Sequence, residues 1–284
     1  MIEFSGLTEA GPVREDNQDA LVLPDGTCAP AVSPGSSWAE GGSSGQSGEL
    51  FALADGMGGY AHGEIASRIA LQAIWKTFFD ANQAKITGAL RKGIEAANLA
   101  VLTAARELGV ARMGSTLTAG VIEGSTLHIA HIGDARAYLV RGGEASLLTQ
   151  DHSVVGDLLR MRVLRPEQVR GHARRSVLTR AVGLNLFPQP DVFSLTLQAG
   201  DWLVLCTDGV WSVVQDDEFA RLACAAPSAA GLCRSLLDLA LSRETDDNVS
   251  ALAVRVTALQ AAAPKAAAPR TAGKNGKIAR RWFF

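Results

Sequence analysis

No apolar run in this chain approaches the length of a membrane span, and Glu3, Glu9, Arg14 and Glu15 interrupt its opening residues. The short runs exclude a spanning helix, and the early charges exclude the form of a secretory leader. Cysteine is scarce. Cys28, Cys206, Cys224 and Cys233 show none of the paired spacings that hold zinc or staple a small secreted domain. Cys206 lies within an apolar run, the setting of a buried thiol. These absences predict a reduced, cytoplasmic protein. Acidic residues are absent from 261–284, which carry Lys265, Arg270, Lys274, Lys277, Arg280 and Arg281. Without those six, 21 basic residues face 29 acidic ones, so the rest of the chain has a net charge of −8 against −2 for the whole. An acidic body argues against nucleic acid as a partner and is compatible with a cleft that takes up cations.

What is present points to a globular fold. A length of 284 residues suits one large domain or two small ones, and 47% apolar residues suffice for a substantial core. Leu50–Ala54, Leu127–Ile132, Trp202–Cys206 and Ser250–Val256 are short apolar or β-branched runs that read as buried strands. Glu123-Gly124, and Gly142-Gly143 after Ala137–Val140, mark hairpin turns. Leu71, Ile74, Trp75 and Phe78, then Ile86, Leu90, Ile94, Ala97, Val101 and Leu108, recur at helical intervals, and Asp217–Ala225 and Ala229–Ser242 read as a further helical pair. Antiparallel strands with helix pairs outside them predict an α+β layered sandwich. Cys28–Gly48 is rich in Gly, Ser and Pro and reads as a surface loop. Ala261–Gly276 has the composition of a linker.

The chemistry is carried by acidic motifs set far apart: Asp16-Asn17-Gln18-Asp19, Asp55-Gly56-Met57-Gly58-Gly59, Gly133-Asp134-Ala135-Arg136, Thr207-Asp208-Gly209 and Asp246-Asp247-Asn248. Most of these carboxylates stand at the end of an apolar run, beside Gly or Asn. Carboxylates launched from strand ends can converge however distant they are in sequence, and they then repel one another unless cations neutralise them. Hard oxygen ligands with no Cys or His cluster suit Mg²⁺ or Mn²⁺ rather than Zn²⁺. The first reading is a multi-metal carboxylate site, whose commonest use is a two-metal hydrolase.

The ordered set Gly11-x-Val13-Arg14-x-x-Asn17-Gln18-Asp19, Asp55-Gly56-Met57-Gly58-Gly59, Gly114-Ser115-Thr116, Gly133-Asp134-Ala135-Arg136, Asp208-Gly209 and Asp247-Asn248 resembles the metal-dependent (type 2C, PPM) serine/threonine protein phosphatases, most of all the compact bacterial members. The resemblance runs from about Ile2 to Val256. It implies a four-layer α/β/β/α sandwich of two antiparallel sheets, with metals in a cleft at one edge. It implies that Asp55 bridges two ions, that Gly56 offers its carbonyl to one of them, and that Asp208 and Asp247 ligate the first. Gln18 stands where some members have a Glu ligand. The second ion would then rely on Asp55, Gly56 and waters, with Asp19 either ligating or holding a water. Asp134 corresponds to an acid that helps bind a third, weaker ion. Arg14 matches the phosphate-binding arginine, since a guanidinium can hold two phosphate oxygens at once.

Each residue also has a plainer reading. Asp55 would cap a helix beginning near Gly63, Arg14 would pair with Glu15 or Asp16, Asp247 would form a turn, and Asp134 would pair with Arg136. His62 reads either as a proton donor or as a helix-start histidine. The implied activity is hydrolysis of phosphoserine and phosphothreonine on proteins by a water activated at a dinuclear Mn²⁺ or Mg²⁺ centre, reversing a serine/threonine kinase. No phospho-enzyme is expected, because no Cys-x5-Arg loop exists. A phosphoprotein-binding pseudophosphatase and a small-molecule phosphatase on the same scaffold are the rival readings. The predicted organisation is a phosphatase domain over 1–257, acting as a monomer, with an insertion at 28–48 and a flap at 150–186. Arg170, Arg174, Arg175 and Arg180 of the flap would hold an anionic phosphopeptide or form a solvated face. A basic tail, 258–284, ends in KIARRWFF, which reads either as a solubilising tail or, since Trp282, Phe283 and Phe284 are poor choices for solvent, as a docking segment for a partner or an anionic membrane surface.

Overall fold

The apolar runs pair into two antiparallel sheets. The computed structural model describes residues 1–28, 37–44, 49–57, 62–80 and 85–259. The first sheet has the order β3-β1-β11-β10-β7-β8, from Ser37–Ser44, Ile2–Glu9, Val249–Val256, Trp202–Cys206, Arg136–Arg141 and Glu144–Leu147. The second has the order β2-β4-β5-β6-β9, from Asp19–Val22, Glu49–Asp55, Leu117–Glu123, Thr126–Ile132 and Asp191–Thr196. Leu21, Leu53, Ile129, Leu203, Leu205, Leu252 and Val254 fill the space between the sheets.

Two helical layers close the outside. α1 (Gly63–Asp80) and α2 (Ile86–Glu107) lie on the second sheet, where Ile74, Leu90, Ile94, Ala97 and Val101 meet Ala52, Ala119 and Val121. These are the residues whose three- and four-residue spacing predicts the helices. Gly93 lets α2 approach α1, because a Cβ there would stand 2.7 Å from Ile74 Cγ1. The short α4 (Asp208–Trp211), α5 (Asp216–Ala225) and α6 (Ala229–Ser242) cover the first sheet, burying Trp211, Phe219, Leu232, Leu236 and Leu237 against Leu7, Val204 and Ala251. Ser228 caps α6 by accepting the Gly231 N–H at 3.1 Å. The predicted α/β/β/α sandwich is the architecture that forms. Among the described residues no helix is long and apolar enough to cross a membrane. All four cysteines are free, and Cys206 is buried as its apolar run predicts.

The segment read as a loop over 28–48 departs from expectation. Its residues 37–44 form β3, which pairs along the whole of β1 from Ile2↔Ser44 to Glu9↔Ser37. Strand pairing at an edge needs backbone groups, not apolar alternation, and Ser-Trp-Ala-Glu-Gly-Gly-Ser-Ser carries no period that would announce it. The glycines suit the place: a Cβ on Gly42 would lie 3.1 Å from the Phe4 ring. Residues 29–36 and 45–48 of the insertion, Gly58 and Gly59, and the tail from 260 lie outside the described residues.

Between β8 and β9, the expected flap begins with α3 (Val154–Arg160) and continues through turns and a single 3-10 turn at Pro166–Gln168. Its base is fixed to the sheets. The His152 N–H donates to Gly133 O at 2.7 Å, the Val154 N–H to Val177 O at 2.8 Å, and the Val182 N–H to Ser115 O at 3.0 Å.

Candidate metal centre and active site

Asp55 closes β4 opposite Asp19 of β2, so strand register alone puts two carboxylates side by side. The backbone of Asp55 is clamped by the two residues that lead into β5. Its N–H donates to Thr116 Oγ1 at 2.9 Å, and its carbonyl accepts from the Thr116 N–H at 2.8 Å and the Ser115 hydroxyl at 2.9 Å. Gly56 turns the chain where no side chain fits, since a Cβ would stand 2.2 Å from Gly63 O and 2.8 Å from Gln18 O. Asp55 does not cap α1. The first turn of that helix is closed by the carbonyl of His62, which accepts from the N–H groups of Ile65 and Ala66.

Asp19 is buried and held through one oxygen. Its Oδ2 accepts from Thr207 Oγ1 at 2.9 Å and from Ser250 Oγ at 2.6 Å. With Ser250 donating to Asp19, the relay behind it runs from Asn17 Nδ2 to Thr8 Oγ1 and from Thr8 to Ser250. Asn17 Oδ1 in turn accepts the Asp19 N–H at 3.0 Å. Gln18 serves through its backbone, donating to Asn248 Oδ1 at 2.9 Å and accepting from Ser67 Oγ at 2.6 Å.

Asp208 sits in the first turn of α4, immediately after β10, and Asp247 lies two residues before β11. Asn248 ties this edge together by donating to the carbonyls of Ala10 and Asp16. Gly11 and Gly209 allow the close approach: a Cβ on either would fall 2.3 Å from Asp247 O or 2.0 Å from Asn248 O. Asp134 follows Gly133 at the end of β6, and its carbonyl accepts from Trp211 Nε1 at 2.9 Å. The plainer reading of Asp134, a pair with Arg136, is not what forms. Arg136 forks onto Asp151, Nε to Oδ1 at 3.0 Å and Nη2 to Oδ2 at 2.8 Å, with both side chains buried. Its guanidinium also stacks 3.8 Å over the Trp211 ring.

Five segments thus deliver carboxylates to one place. Asp55, Asp134, Asp208 and Asp247 line a cavity of about 720 Å³ with Arg14, Met57, Arg112, Thr116, Ser176, Val177, Leu178 and Leu184, while Asp19 lies behind Asp55. Burial, and then the neighbouring carboxylates, hold Asp55 and Asp208 well above the usual carboxylate range. Asp19 is pushed up to about 7 by burial and by Asp247, against the two hydroxyls that favour its charge. Asp134 reaches about 7 through burial and the nearby Asp151, which outweigh Arg136.

The counter-charge is small. Arg14 Nη2 donates to Asp247 Oδ2 at 2.7 Å and its Nε to Asp246 O at 3.1 Å, so it pairs with neither Glu15 nor Asp16. Burial works against its charge, yet Asp247, Asp208 and Asp246 outweigh that and raise it above the ordinary arginine range. The donor set is all oxygen, and neither Cys nor His lines the cavity. That chemistry fits hard divalent cations. Among the described residues no group of three or more His, Cys, Asp or Glu side chains is drawn together tightly enough to hold an ion by itself. Water and backbone carbonyls would complete any coordination, as Mg²⁺ commonly requires.

The remaining predicted residues fall elsewhere. His62 does not line the cavity and sits 3.9 Å from Glu64 at the start of α1, the plainer of its two readings. Two flap arginines are committed internally. Arg170 bonds Trp211 O, Val214 O, Gln215 Oε1 and Asp216 Oδ1, and Arg180 bonds Gln189 O and Asp191. Arg175 leans towards the site, 3.5 Å from Asp246. Asp151, Trp211 and Arg112 carry no signal in the sequence, because neither motif nor spacing distinguishes them.

Comparison with known proteins agrees with this geometry. The family model for protein phosphatase 2C matches residues 28–249. The serine/threonine phosphatase stp of Listeria welshimeri is 33% identical over 213 residues, covering 73% of this chain and 84% of that protein. The serine/threonine protein phosphatase PstP of Mycobacterium tuberculosis is 34% identical over 257 residues; the match spans 90% of this chain but 45% of PstP. A crystal structure of the catalytic domain of PstP in complex with two manganese ions superposes with a TM-score of 0.72 at 29% identity, covering 91% of this chain and 100% of that one. With the carboxylate cluster, the sandwich and these matches in agreement, the chain belongs to the protein phosphatase 2C (PPM) family of serine/threonine phosphatases.

Proposed function

We propose that this protein hydrolyses phosphoserine and phosphothreonine on other proteins and so reverses a serine/threonine kinase. The observation that carries the reading is the convergence of Asp55, Asp134, Asp208 and Asp247 on one cavity, with Asp19 beside Asp55 and Arg14 bonded to Asp247. Asp55, the Gly56 carbonyl, Asp208 and Asp247 would hold two Mn²⁺ or Mg²⁺ ions, and Asp134 a third, weaker one. Asp19 would brace the pair from behind. When bound, such a pair supplies an acidified water as nucleophile and positive charge for the phosphoryl oxygens.

The chain's own residues do the rest. Arg14 spends Nε and one Nη on Asp246 and Asp247, which leaves its other Nη to meet the phosphoryl group. Thr116 and Ser115 keep Asp55 from moving as charge shifts across the site. A cysteine nucleophile has no place here, because no cysteine lines the cavity, and Cys206 and Cys233 are buried, their thiols raised by that burial. A pseudophosphatase would be expected to have lost one of Asp55, Asp208 and Asp247, and this chain has all three. The protein is proposed to act in the cytoplasm as a monomer.

The test is hydrolysis of a phosphothreonine peptide under Mn²⁺ titration, before and after EDTA, in the natural protein and in Asp208→Asn. EDTA should abolish turnover and Mn²⁺ restore it. Asp208→Asn should lower turnover about 100-fold or more at limiting Mn²⁺. Its melting temperature in EDTA should hold or rise, because one member of a mutually repelling buried set is gone. Natural turnover in the folded variant would refute the assignment.

A further inference from the structure

Asp134 lies in the turn between β6, which ends at Ile132, and β7, which starts at Arg136, so no strand ladder restrains it. It follows Gly133, whose φ of 117° lies in a region that glycine enters readily. That same freedom means Gly133 does not hold the turn by itself. His152 holds it from two sides. Its backbone N–H donates to Gly133 O at 2.7 Å, and its ring Nδ1 accepts the Gly133 N–H at 3.2 Å. The far ring nitrogen, Nε2, lies 3.1 Å from Asp191 Oδ2, where β9 begins. An ionised carboxylate only accepts, so Nε2 carries the proton and Nδ1 keeps its lone pair for Gly133. The ring is fully buried, and water does not stand in for either partner.

The other side of Asp134 is fixed by a longer route. Trp211 Nε1 donates to Asp134 O at 2.9 Å, and the Arg136 guanidinium lies 3.8 Å over the Trp211 ring. Arg136 in turn forks onto Asp151. Asp151 and His152 are neighbours at the base of the flap. Two adjacent residues thus reach the backbone on both sides of Asp134, whose carboxylate lines the cavity.

We propose that His152 is a positioning residue for Asp134. Its Nδ1 fixes the turn that aims the carboxylate into the cavity, and Trp211 secures the far side of the same residue. This rests on the phosphatase reading, in which Asp134 holds the weak third ion. Losing the hold leaves the carboxylate its charge but not its aim. The cost therefore falls on that ion and on turnover rather than on substrate binding.

The test separates the two ring nitrogens. His152→Asn sets Oδ1 near the place of Nδ1, so it keeps an acceptor for Gly133 and loses Asp191. His152→Gln reaches Asp191 and loses the acceptor for Gly133. Mn²⁺ calorimetry, hydrolysis of a phosphothreonine peptide and the melting temperature in EDTA are measured on the full chain. The weaker Mn²⁺ phase should be about tenfold weaker in His152→Gln than in His152→Asn, the scale of effect of a residue behind a metal ligand. The tight phase should be equal in both, and kcat should fall with the weak phase while KM holds. Trp211→Phe keeps a ring under Arg136 and deletes only the indole N–H. It should weaken the same phase, and it carries the test alone if the histidine variants fail to fold. Equal weak phases in the two histidine variants, or a weak phase that follows the melting temperature instead of the Gly133 acceptor, would overturn the positioning role. So would an unaltered weak phase in Trp211→Phe, or a natural protein that hydrolyses the peptide yet binds Mn²⁺ in a single phase. Failure of the natural protein to hydrolyse the peptide at all would instead refute the phosphatase reading.

Discussion

An aspartate at a strand end is common, and Asp55 is set apart by its surroundings. Thr116 and Ser115 hold its backbone from one side, Gly56 admits the start of α1 on the other, and Asp19 stands across the strand pair. Free energy favours such crowding only if charge is neutralised, since each unpaired buried ion costs several kcal/mol. Arg14 meets part of that need at Asp247. Arg14→Ala should therefore act on substrate more than on metal. KM for a phosphopeptide should rise, a charge-assisted contact being worth about 1.5–3 kcal/mol. Mn²⁺ affinity should hold or tighten, because a cation beside Asp247 has been removed. Steady-state kinetics paired with calorimetry separates the two effects. Collapse of Mn²⁺ binding with KM intact would make Arg14 a structural residue.

Among the elements, the flap shows how a basic composition can mislead. Four arginines suggest an anion-binding face, yet Arg170 and Arg180 are anchors. Arg170 makes four contacts with 211–216, so it fastens the flap to the segment that carries Asp208. Arg170→Ala should loosen that fastening. Limited proteolysis should cut between Arg160 and Arg175 faster than in the natural protein, and the melting temperature should fall modestly. Unchanged cutting would mean that the base of the flap, through His152, Val154 and Val182, suffices to hold it. β3 teaches the complementary lesson. An edge strand recruited by backbone pairing to β1 leaves no apolar signature, so its eight residues are legible only once β1 offers an open edge.

For the molecule as a whole, acid acts in two opposed directions: the buried carboxylates Asp19, Asp55, Asp134 and Asp208, held above their ordinary range, favour the folded state as pH falls, while one buried base disfavours it. His131 lies fully buried in β6, with Nε2 3.1 Å from Gln150 O and Nδ1 2.8 Å from Thr118 Oγ1. A carbonyl can only accept, so Nε2 carries the proton and Nδ1 accepts from the threonine. Burial, and then the neighbouring His152, lower its pKa from 6.5 to about 3. The folded state holds it neutral while the unfolded chain takes up a proton. Its stabilising contribution is thus whole above pH 6.5 and is lost as pH falls towards 3. One such proton accounts for about 1.4 kcal/mol per pH unit. Denaturant unfolding between pH 7.5 and 4.5, compared in the natural protein and His131→Gln, isolates the loss: below pH 6.5 the natural protein should lose stability relative to the variant, even if the variant is less stable at pH 7.5. An equal slope in the variant would place the acid sensitivity elsewhere.

Much of this protein is written locally. Apolar period distinguishes β4, β6, β10 and β11 from α1, α2, α5 and α6, because burial of one face is decided by nearest neighbours along the chain. The acidic residues beside Gly and Asn are legible for the same reason, since a turn at a strand end demands those types. Other features wait for the fold. Arg136 takes Asp151 rather than Asp134, and Arg14 takes Asp247 rather than Glu15 or Asp16. Asn248 ties residues 10–18 to β11, and Arg112 reaches the cavity from the end of α2. Most of these contacts join residues far apart in sequence, and even Arg136 and Asp151, fifteen apart, meet only when the flap folds back on the sheet. A charged side chain has several acceptable partners along the chain, and which one it takes depends on distance and burial, quantities that exist only after the sheets have paired.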